Sequence, residues 1–498
     1  MIDLHMPAFP DTHEKEVYQV IISRLEGAQI SDTEYRQRQF ELIEKGIGGF
    51  ILFGGVRAEI KPFLAELQSL SRIPLFIAAD IERGVGQQVQ GMTSFPSQMA
   101  FAAAIDRIKE QDITLLRQTI EATAAEARDI GINMPLIPVL DVNRNPDNPI
   151  ICTRAFSDDP ELTAWFGFNY IRILEGKGLI SCAKHFPGHG DTSTDSHIAL
   201  PVIRNNRDDL ISVDLFPFRR AIKEKVSSIM IGHLSVPALD SRPTSLSRKI
   251  ITGLLKDELG FTGLVLTDAL NMHALREFGH VGLECLNAGA DILLHPDNPD
   301  AMAVELLLAL KGKKLDPDIL EATVKKIIDT KAVLNHGAPP TIDFERHAVL
   351  SKMISQKAIT LIKSAQELLP LRDSGGVRII FSGENKHFEI SPLKDFFSHS
   401  GDSNILLIAI FTSVAAWKGS SGISNEERLK LTGLLRKARR SIVVSFGSPY
   451  VLRYFKDADV LIAAYDPTIQ AQHAVLNCLR GASTFTGKLP IHIPEVST

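Results

Sequence analysis

The sequence predicts an α/β protein, a (β/α)8-type, TIM-like barrel followed by a smaller αβα sandwich domain. Three observations carry this. Short, wholly apolar runs alternate with helical stretches over the first two-thirds of the chain. Polar residues gather at the C-terminal ends of those runs. A turn-rich break near residue 336 then precedes a second, shorter series of the same kind. At 498 residues the chain exceeds one ordinary core. A barrel over 1–335, a linker at 336–345 and a sandwich over 346–498 fit the usual sizes.

The apolar runs are residues 47–53, 74–80, 133–142, 180–186, 227–233, 263–269 and 290–296. Continuous rather than alternating apolarity suits parallel strands buried on both faces. Between two of them, Ile113, Leu116, Ile120, Ala124, Ala127 and Ile130 recur at steps of three and four, with Gly131 as a C-terminal stop. Seven runs leave a closed barrel one strand short, and pattern alone also admits an open doubly wound sheet. The polar ends Asp80, Asp141, Lys184-His185, His233 and Asp268 favour the barrel, whose chemistry sits on that rim. Beyond the break, runs at 377–381, 405–411, 441–446 and 460–465 alternate with helical segments such as 425–437.

Composition excludes several classes. A 44% hydrophobic and 23% charged chain is globular. A net charge of −5 gives no electrostatic reason to expect nucleic acid or an anionic membrane as partner. No run of about 18 apolar residues predicts a membrane span. The N-terminal segment has no basic end leading into an apolar core, so no signal peptide is read there. Cys152, Cys182, Cys285 and Cys478 show no metal-like spacing. Reduced thiols and a cytoplasmic location are therefore expected.

The densest chemistry lies in Lys184-His185-Phe186-Pro187-Gly188-His189-Gly190-Asp191-Thr192-Ser193-Thr194-Asp195-Ser196-His197. It begins at a strand end and runs through Pro and Gly, so it is a loop whose polar side chains can converge. Asp195 and His197 are two apart, which in extended backbone puts both on one face. A carboxylate beside an imidazole fixes its tautomer, as a proton shuttle requires.

This segment resembles the K-H-F-x-G-H-G…D-S-H signature of family 3 glycoside hydrolases, in the β-N-acetylglucosaminidase branch. Asp80-Ile81-Glu82-Arg83-Gly84 is similar to that family's D-x-E-x-G segment, and Arg154-Ala155-Phe156-Ser157-Asp158-Asp159-Pro160 to its R-x-F-x-x-D-P stretch. Leu266-Thr267-Asp268-Ala269-Leu270 resembles the strand end that carries the nucleophile. Residues 358–371 and Gly487-Lys488-Leu489-Pro490 look like the family's C-terminal module. The resemblance implies Asp268 as nucleophile and His197 as general acid/base oriented by Asp195. It also implies Asp80, Arg154, Lys184 and His185 as partners of the sugar hydroxyls. The implied activity is retaining, exo-acting hydrolysis of terminal N-acetyl-β-D-glucosaminides, such as cell-wall muropeptide fragments, without cofactor or metal. One departure stands out: where the family commonly has an Arg after the D-x-E-x-G segment, this chain has Gln87-Gln88.

Bland readings compete at each residue. D-S-H in a loop can be a solvated turn, Asp268 a strand-end cap, and Asp80 with Arg154 a structural ion pair. His189 reads as a loop-shaping residue, and His233 as either a site or a wall residue. Rival functions are a β-N-acetylglucosaminide phosphorylase or β-glucosidase of the same family, an inactive sugar-binding protein, and a zinc hydrolase. The zinc reading uses the His185-x-x-x-His189 interval, which Pro187 and Gly188 keep from being the helix that H-E-x-x-H needs. Gly84-Val85-Gly86 lacks the third glycine of a dinucleotide fingerprint, and Ser196 lacks a G-x-S-x-G elbow.

Overall fold

The computed structural model describes residues 9–334, 340–365, 368–371, 376–397, 404–415 and 417–496. Its first eight strands are β1 (Ile21–Glu26), β2 (Gly49–Phe53), β3 (Phe76–Ala79), β4 (Met134–Pro135), β5 (Cys182–Phe186), β6 (Ser228–Ile231), β7 (Leu264–Thr267) and β8 (Leu293–Leu294). Parallel pairing gives two arcs, β4-β3-β2-β1-β8 and β5-β6-β7. Bridges between Leu266 and Ile292 and between Val139 and Lys184 join them. Leu140 N donates to Lys184 O at 2.7 Å and Thr267 N to Ile292 O at 3.0 Å, so the ring of strands closes. The fold is the expected barrel, and the open sheet is excluded.

Seven of these strands lie on the predicted runs. The eighth is β1, whose sequence Ile-Ile-Ser-Arg-Leu-Glu is interrupted by polar residues. Arg24 and Glu26 lie toward its C-terminal end, where the barrel rim tolerates charge, and Ile21, Ile22 and Leu25 are buried. Among the helices, Glu110–Ile130 follows the predicted period: Leu116, Ile120, Ala124 and Ala127 are buried, and Gly131 terminates it at φ 95°. Among the described residues no helix is long and apolar enough to cross a membrane.

The second sheet contains β9 (Thr360–Ser364), β10 (Val377–Gly383), β11 (Ile405–Phe411), β12 (Arg440–Phe446) and β13 (Val460–Ala463), in the order β10-β11-β12-β13-β9. Pairing is parallel except for β9, which runs antiparallel along β13. Side chains alternate across β11: Leu406, Ile408 and Ile410 join the apolar core that continues into the barrel. Leu407, Ala409 and Phe411 face a separate core containing Val475 and Leu479 of helix Ile469–Leu479. Residues 336–339 of the expected linker lie outside the described residues, and helix Phe344–Ala358 begins within its expected end.

Candidate active site

The C-terminal ends of the barrel strands open into a cavity of about 490 Å³, within the range of ligand pockets. Asp80, Arg154, Lys184, His185, His197 and Asp268 all line it. Asp195 is buried and bonded to His197. Ser413, Trp417, Gly447, Tyr465 and Asp466 line it from loops of the second sheet.

One end is a network of two carboxylates and two cations. Lys184 Nζ lies 2.6 Å from Asp80 Oδ1 and 2.9 Å from Glu82 Oε1. Arg154 grips Glu82 in bidentate fashion, at 2.7 Å through one terminal nitrogen and 2.9 Å through Nε. The ion pair considered between Asp80 and Arg154 is replaced by this arrangement, in which Glu82 is the shared acceptor. Burial raises the pKa of Glu82, yet Arg154 and Lys184 outweigh it and hold the carboxyl well below its usual range. Burial opposes the Lys184 ammonium, but Asp80 and Glu82 keep it firmly protonated. Opposite charges in equal number make a desolvated cluster tolerable.

Beside it, His185 Nδ1 lies 2.7 Å from Asp141 Oδ2. The other oxygen, Oδ1, accepts from the backbone N–H groups of His185 at 3.1 Å and His189 at 2.7 Å. Burial raises the Asp141 pKa, but the adjacent His185 lowers it further, so the carboxylate is an acceptor only. His185 Nδ1 must therefore donate, which leaves Nε2 as its second polar atom. His189 shapes the loop, as expected, its nitrogens 3.0 Å from Thr192 Oγ1 and 3.2 Å from Ser196 Oγ. Burial, followed by the neighbouring His185, brings its pKa down to about 4.

The Asp195–His197 contact forms, but through a different backbone from the one expected. Residues 196–198 form a turn rather than a strand. Asp195 Oδ1 accepts from the His197 backbone N–H at 2.9 Å and lies 2.9 Å from its Nδ1. An Asx-type turn thus puts one oxygen on both groups. Burial raises the Asp195 pKa, and the hydrogen bond from His197 outweighs it, so Asp195 stays ionised.

Asp268 follows β7, and its Oδ1 accepts from Ala269 N at 2.8 Å. Burial pushes its pKa up, but His185, His233 and the Ala269 N–H bring it to about 2. His233 proves to be a hydrogen-bonded wall residue. Its Nε2 lies 3.2 Å from the Ala269 carbonyl, which can only accept, so Nε2–H donates there and Nδ1 meets Ser245 Oγ at 2.9 Å. Burial lowers the His233 pKa, with the neighbouring Asp268 opposing the shift.

Gln87 and Gln88 both line the cavity, yet their amides are engaged with backbone. Gln88 accepts from Gly54 N at 3.3 Å and donates to the Asp80 carbonyl at 3.1 Å, while Gln87 accepts from Arg83 N at 2.8 Å. A guanidinium is nevertheless present in Arg83, which lines the cavity and pairs with Asp466 of the second domain at 3.0 Å. Sequence reading also missed Arg24, Phe53 and His295, which line the cavity from the ends of β1, β2 and β8. Arg24 stacks over the Phe53 ring at 4.4 Å, and burial, then Arg24, lowers His295 to about 4. Recognising β1 would have pointed to this wall. Among the described residues, no group of three or more His, Cys, Asp or Glu side chains is placed to hold a metal ion.

The profile of the glycosyl hydrolase family 3 N-terminal domain matches residues 13–330, the whole barrel. The chain belongs to glycosyl hydrolase family 3. It is accordingly a glycoside hydrolase. It is 33% identical over 401 residues to β-hexosaminidase A of Pseudoalteromonas piscicida, a match spanning 72% of this chain and 66% of that relative. It is also 33% identical over 292 residues to a β-hexosaminidase of Nitrosomonas eutropha, covering 57% of this chain and 82% of that protein. Among solved structures, a family 3 β-N-acetylglucosaminidase from Paenibacillus sp. strain FPU-7 aligns at TM-score 0.83 and 27% identity, over 98% of this chain and 100% of that one.

Two predictions concern the scaffold of this family 3 site. Glu82→Gln leaves two buried cations short of a partner and is expected to lower unfolding free energy by about 3 kcal/mol. Denaturant unfolding with an unchanged midpoint would refute the network's structural weight. The second concerns Asp214, which packs behind Gly188 of the 184–197 loop and lies 3.5 Å from Arg144. Burial drives its pKa up to about 7, with Asp191 and Asp141 reinforcing the shift against Arg144 and Asn205. Between its unfolded value and that pKa the folded chain binds the extra proton, so this group's contribution to stability falls as pH rises through the window. Asp214→Asn is expected to gain ~2 kcal/mol relative to the parent between pH 5 and pH 8. Parallel unfolding curves at the two pH values check this.

Proposed function

We propose that the protein is a retaining, exo-acting β-N-acetylglucosaminidase that releases terminal N-acetyl-β-D-glucosaminyl units. Asp268 is the nucleophile, His197 the acid/base and Asp195 its orienting partner. The observation that carries this reading is an ionised Asp268 lining the same cavity as an imidazole whose Nδ1 is committed to a carboxylate. Two polar groups are needed around the anomeric centre of a retaining enzyme, one to attack and one to exchange protons. Asp268 meets the first need because its carboxylate stays ionised through the ordinary pH range.

The second need falls to His197. With Nδ1 donating to Asp195, Nε2 is free to carry the mobile proton. In the first half-reaction Asp268 attacks the anomeric carbon while the imidazolium gives its proton to the leaving oxygen. In the second, neutral His197 takes a proton from water as that water displaces Asp268, and the β configuration is restored. A histidinium facing Asp268 supports the nucleophile's charge, whereas a second ionised carboxylate would oppose it. Asp80, Arg154, Lys184 and His185 hold the sugar hydroxyls. Their charges are already paired and oriented, so directional bonds to the hydroxyls need little reorganisation.

The names of the relatives support the N-acetylglucosaminide reading. Muropeptide fragments as natural substrates, and a cytoplasmic setting, belong to the same proposal. The four cysteines, all buried and unpaired, fit a reducing compartment.

Asp268→Ala is expected to abolish turnover of aryl N-acetyl-β-glucosaminides. His197→Ala is expected to lose roughly 10²–10⁴-fold on a phenyl glycoside and far less on a dinitrophenyl one, whose departure needs little protonation. Small, equal effects of both substitutions would dismiss the assignment. Proton NMR of the first turnovers is expected to show β-configured product, and addition of inorganic phosphate is expected to leave the product as the free sugar. An α product rules out the double displacement, and a sugar 1-phosphate makes the enzyme a phosphorylase.

A further inference from the structure

Residues 412–424 connect β11 to helix Asn425–Leu435, and this second-domain loop reaches the barrel mouth. The Trp417 ring lies 5.4 Å from that of His197 and 4.6 Å from that of His273, centroid to centroid. Its neighbour Gly419 packs so close that an added Cβ would come within 3.1 Å of Ile198, next to His197. The Gly419 N–H also helps to hold Asp195 ionised. Ser421 Oγ donates to the Asn148 carbonyl at 2.8 Å, and the Asn148 amide donates to the carbonyls of His189 at 2.9 Å and Gly190 at 3.1 Å. The loop carrying the Asp–His pair is thus braced near both ends by the second domain.

The brace is itself fixed. Trp417 has a φ of 69°, a left-handed conformation costly for a side chain of its size. Lys418 secures it by pairing with Glu384 and donating to the Ser413 carbonyl at 2.7 Å, while Ser413 Oγ donates to Glu384 at 2.7 Å.

One physical need explains this construction. A single bond from Nδ1 to Asp195 sets one edge of the His197 ring but leaves it free to swing about that bond. Proton transfer requires Nε2 within hydrogen-bond reach of the glycosidic oxygen. A second surface against the ring removes the swing, and the indole supplies it. Trp417 remains 47% exposed, which a residue serving only the core would not be.

We infer that Trp417, carried by the second domain, is a positioning residue that holds the His197 imidazole in its proton-transfer orientation. The inference rests on His197 being the acid/base. The test uses the full chain and compares Trp417→Ala, Trp417→Phe, His197→Ala and the double variant Trp417→Ala/His197→Ala. Substrates are phenyl and 2,4-dinitrophenyl N-acetyl-β-glucosaminides. Trp417→Ala is expected to lose about 10–100-fold in kcat on the phenyl glycoside and under about 3-fold on the dinitrophenyl one, with KM little changed. Trp417→Phe is expected to recover most of the loss, and the double variant to be no slower than His197→Ala alone. Equal losses on both substrates, a change confined to KM, or multiplying losses in the double variant would overturn the inference. If His197→Ala shows leaving-group dependence and Trp417→Ala does not, only the positioning role falls. If His197→Ala shows none, the acid/base reading falls and the positioning role with it.

Discussion

The Glu82 carboxylate, held between Arg154 and Lys184, is the constraint on which the rest of the site depends. It ties together three segments distant in sequence: the chain after β3, the short turn at residues 152–154 and the end of β5. None of the three charges could be buried alone, because each would lose several kcal/mol of hydration without compensation. Together with Asp80 they form a neutral, rigid lattice whose outer polar atoms face the cavity. A surface prepared in this way suits a neutral, hydroxyl-rich ligand, which offers many hydrogen bonds and no charge to satisfy.

From that fixed end the site divides its imidazoles by environment. His185 and His197 each rest on a carboxylate, Asp141 and Asp195 respectively. His189, His233 and His295 are drawn toward neutrality by burial and spend themselves on hydroxyls, carbonyls or an aromatic neighbour. One residue type therefore occupies two electrostatic settings, carboxylate-paired or drawn toward neutrality, according to its partner. The same contrast explains why Asp268 and Asp214, both buried carboxyls near the 184–197 loop, are driven in opposite directions. Burial raises both; His185 and His233 overcome it at Asp268, whereas at Asp214 it prevails over Arg144, with Asp191 and Asp141 adding to it.

Much of this was legible in the sequence, for reasons that differ by element. The strands of the barrel wall read clearly because they are buried on both faces, and the strand ends read because charge there has few structural excuses. β1 escaped because Ser23, Arg24 and Glu26 interrupt its apolar run, and the wall formed by Arg24, Phe53 and His295 escaped with it. The Asp195–His197 contact was anticipated from spacing, although the chain achieves it by a turn and not by extended backbone. Glu82 was visible only as part of a motif, since nothing local shows that one carboxylate will serve two cations. Trp417 left no signal at all. A single tryptophan in a loop has no periodicity, and its partners His197 and His273 belong to the barrel, far away in sequence.

The alternation across β11 has a consequence beyond packing. Because Leu406, Ile408 and Ile410 share an apolar core with the barrel, removing the sandwich would strip cover from barrel side chains as well as losing its own. Large shared cores make melting cooperative, since neither half can open without exposing the other. The two parts therefore do not behave as beads on a string. A destabilising substitution in either part is therefore felt by both.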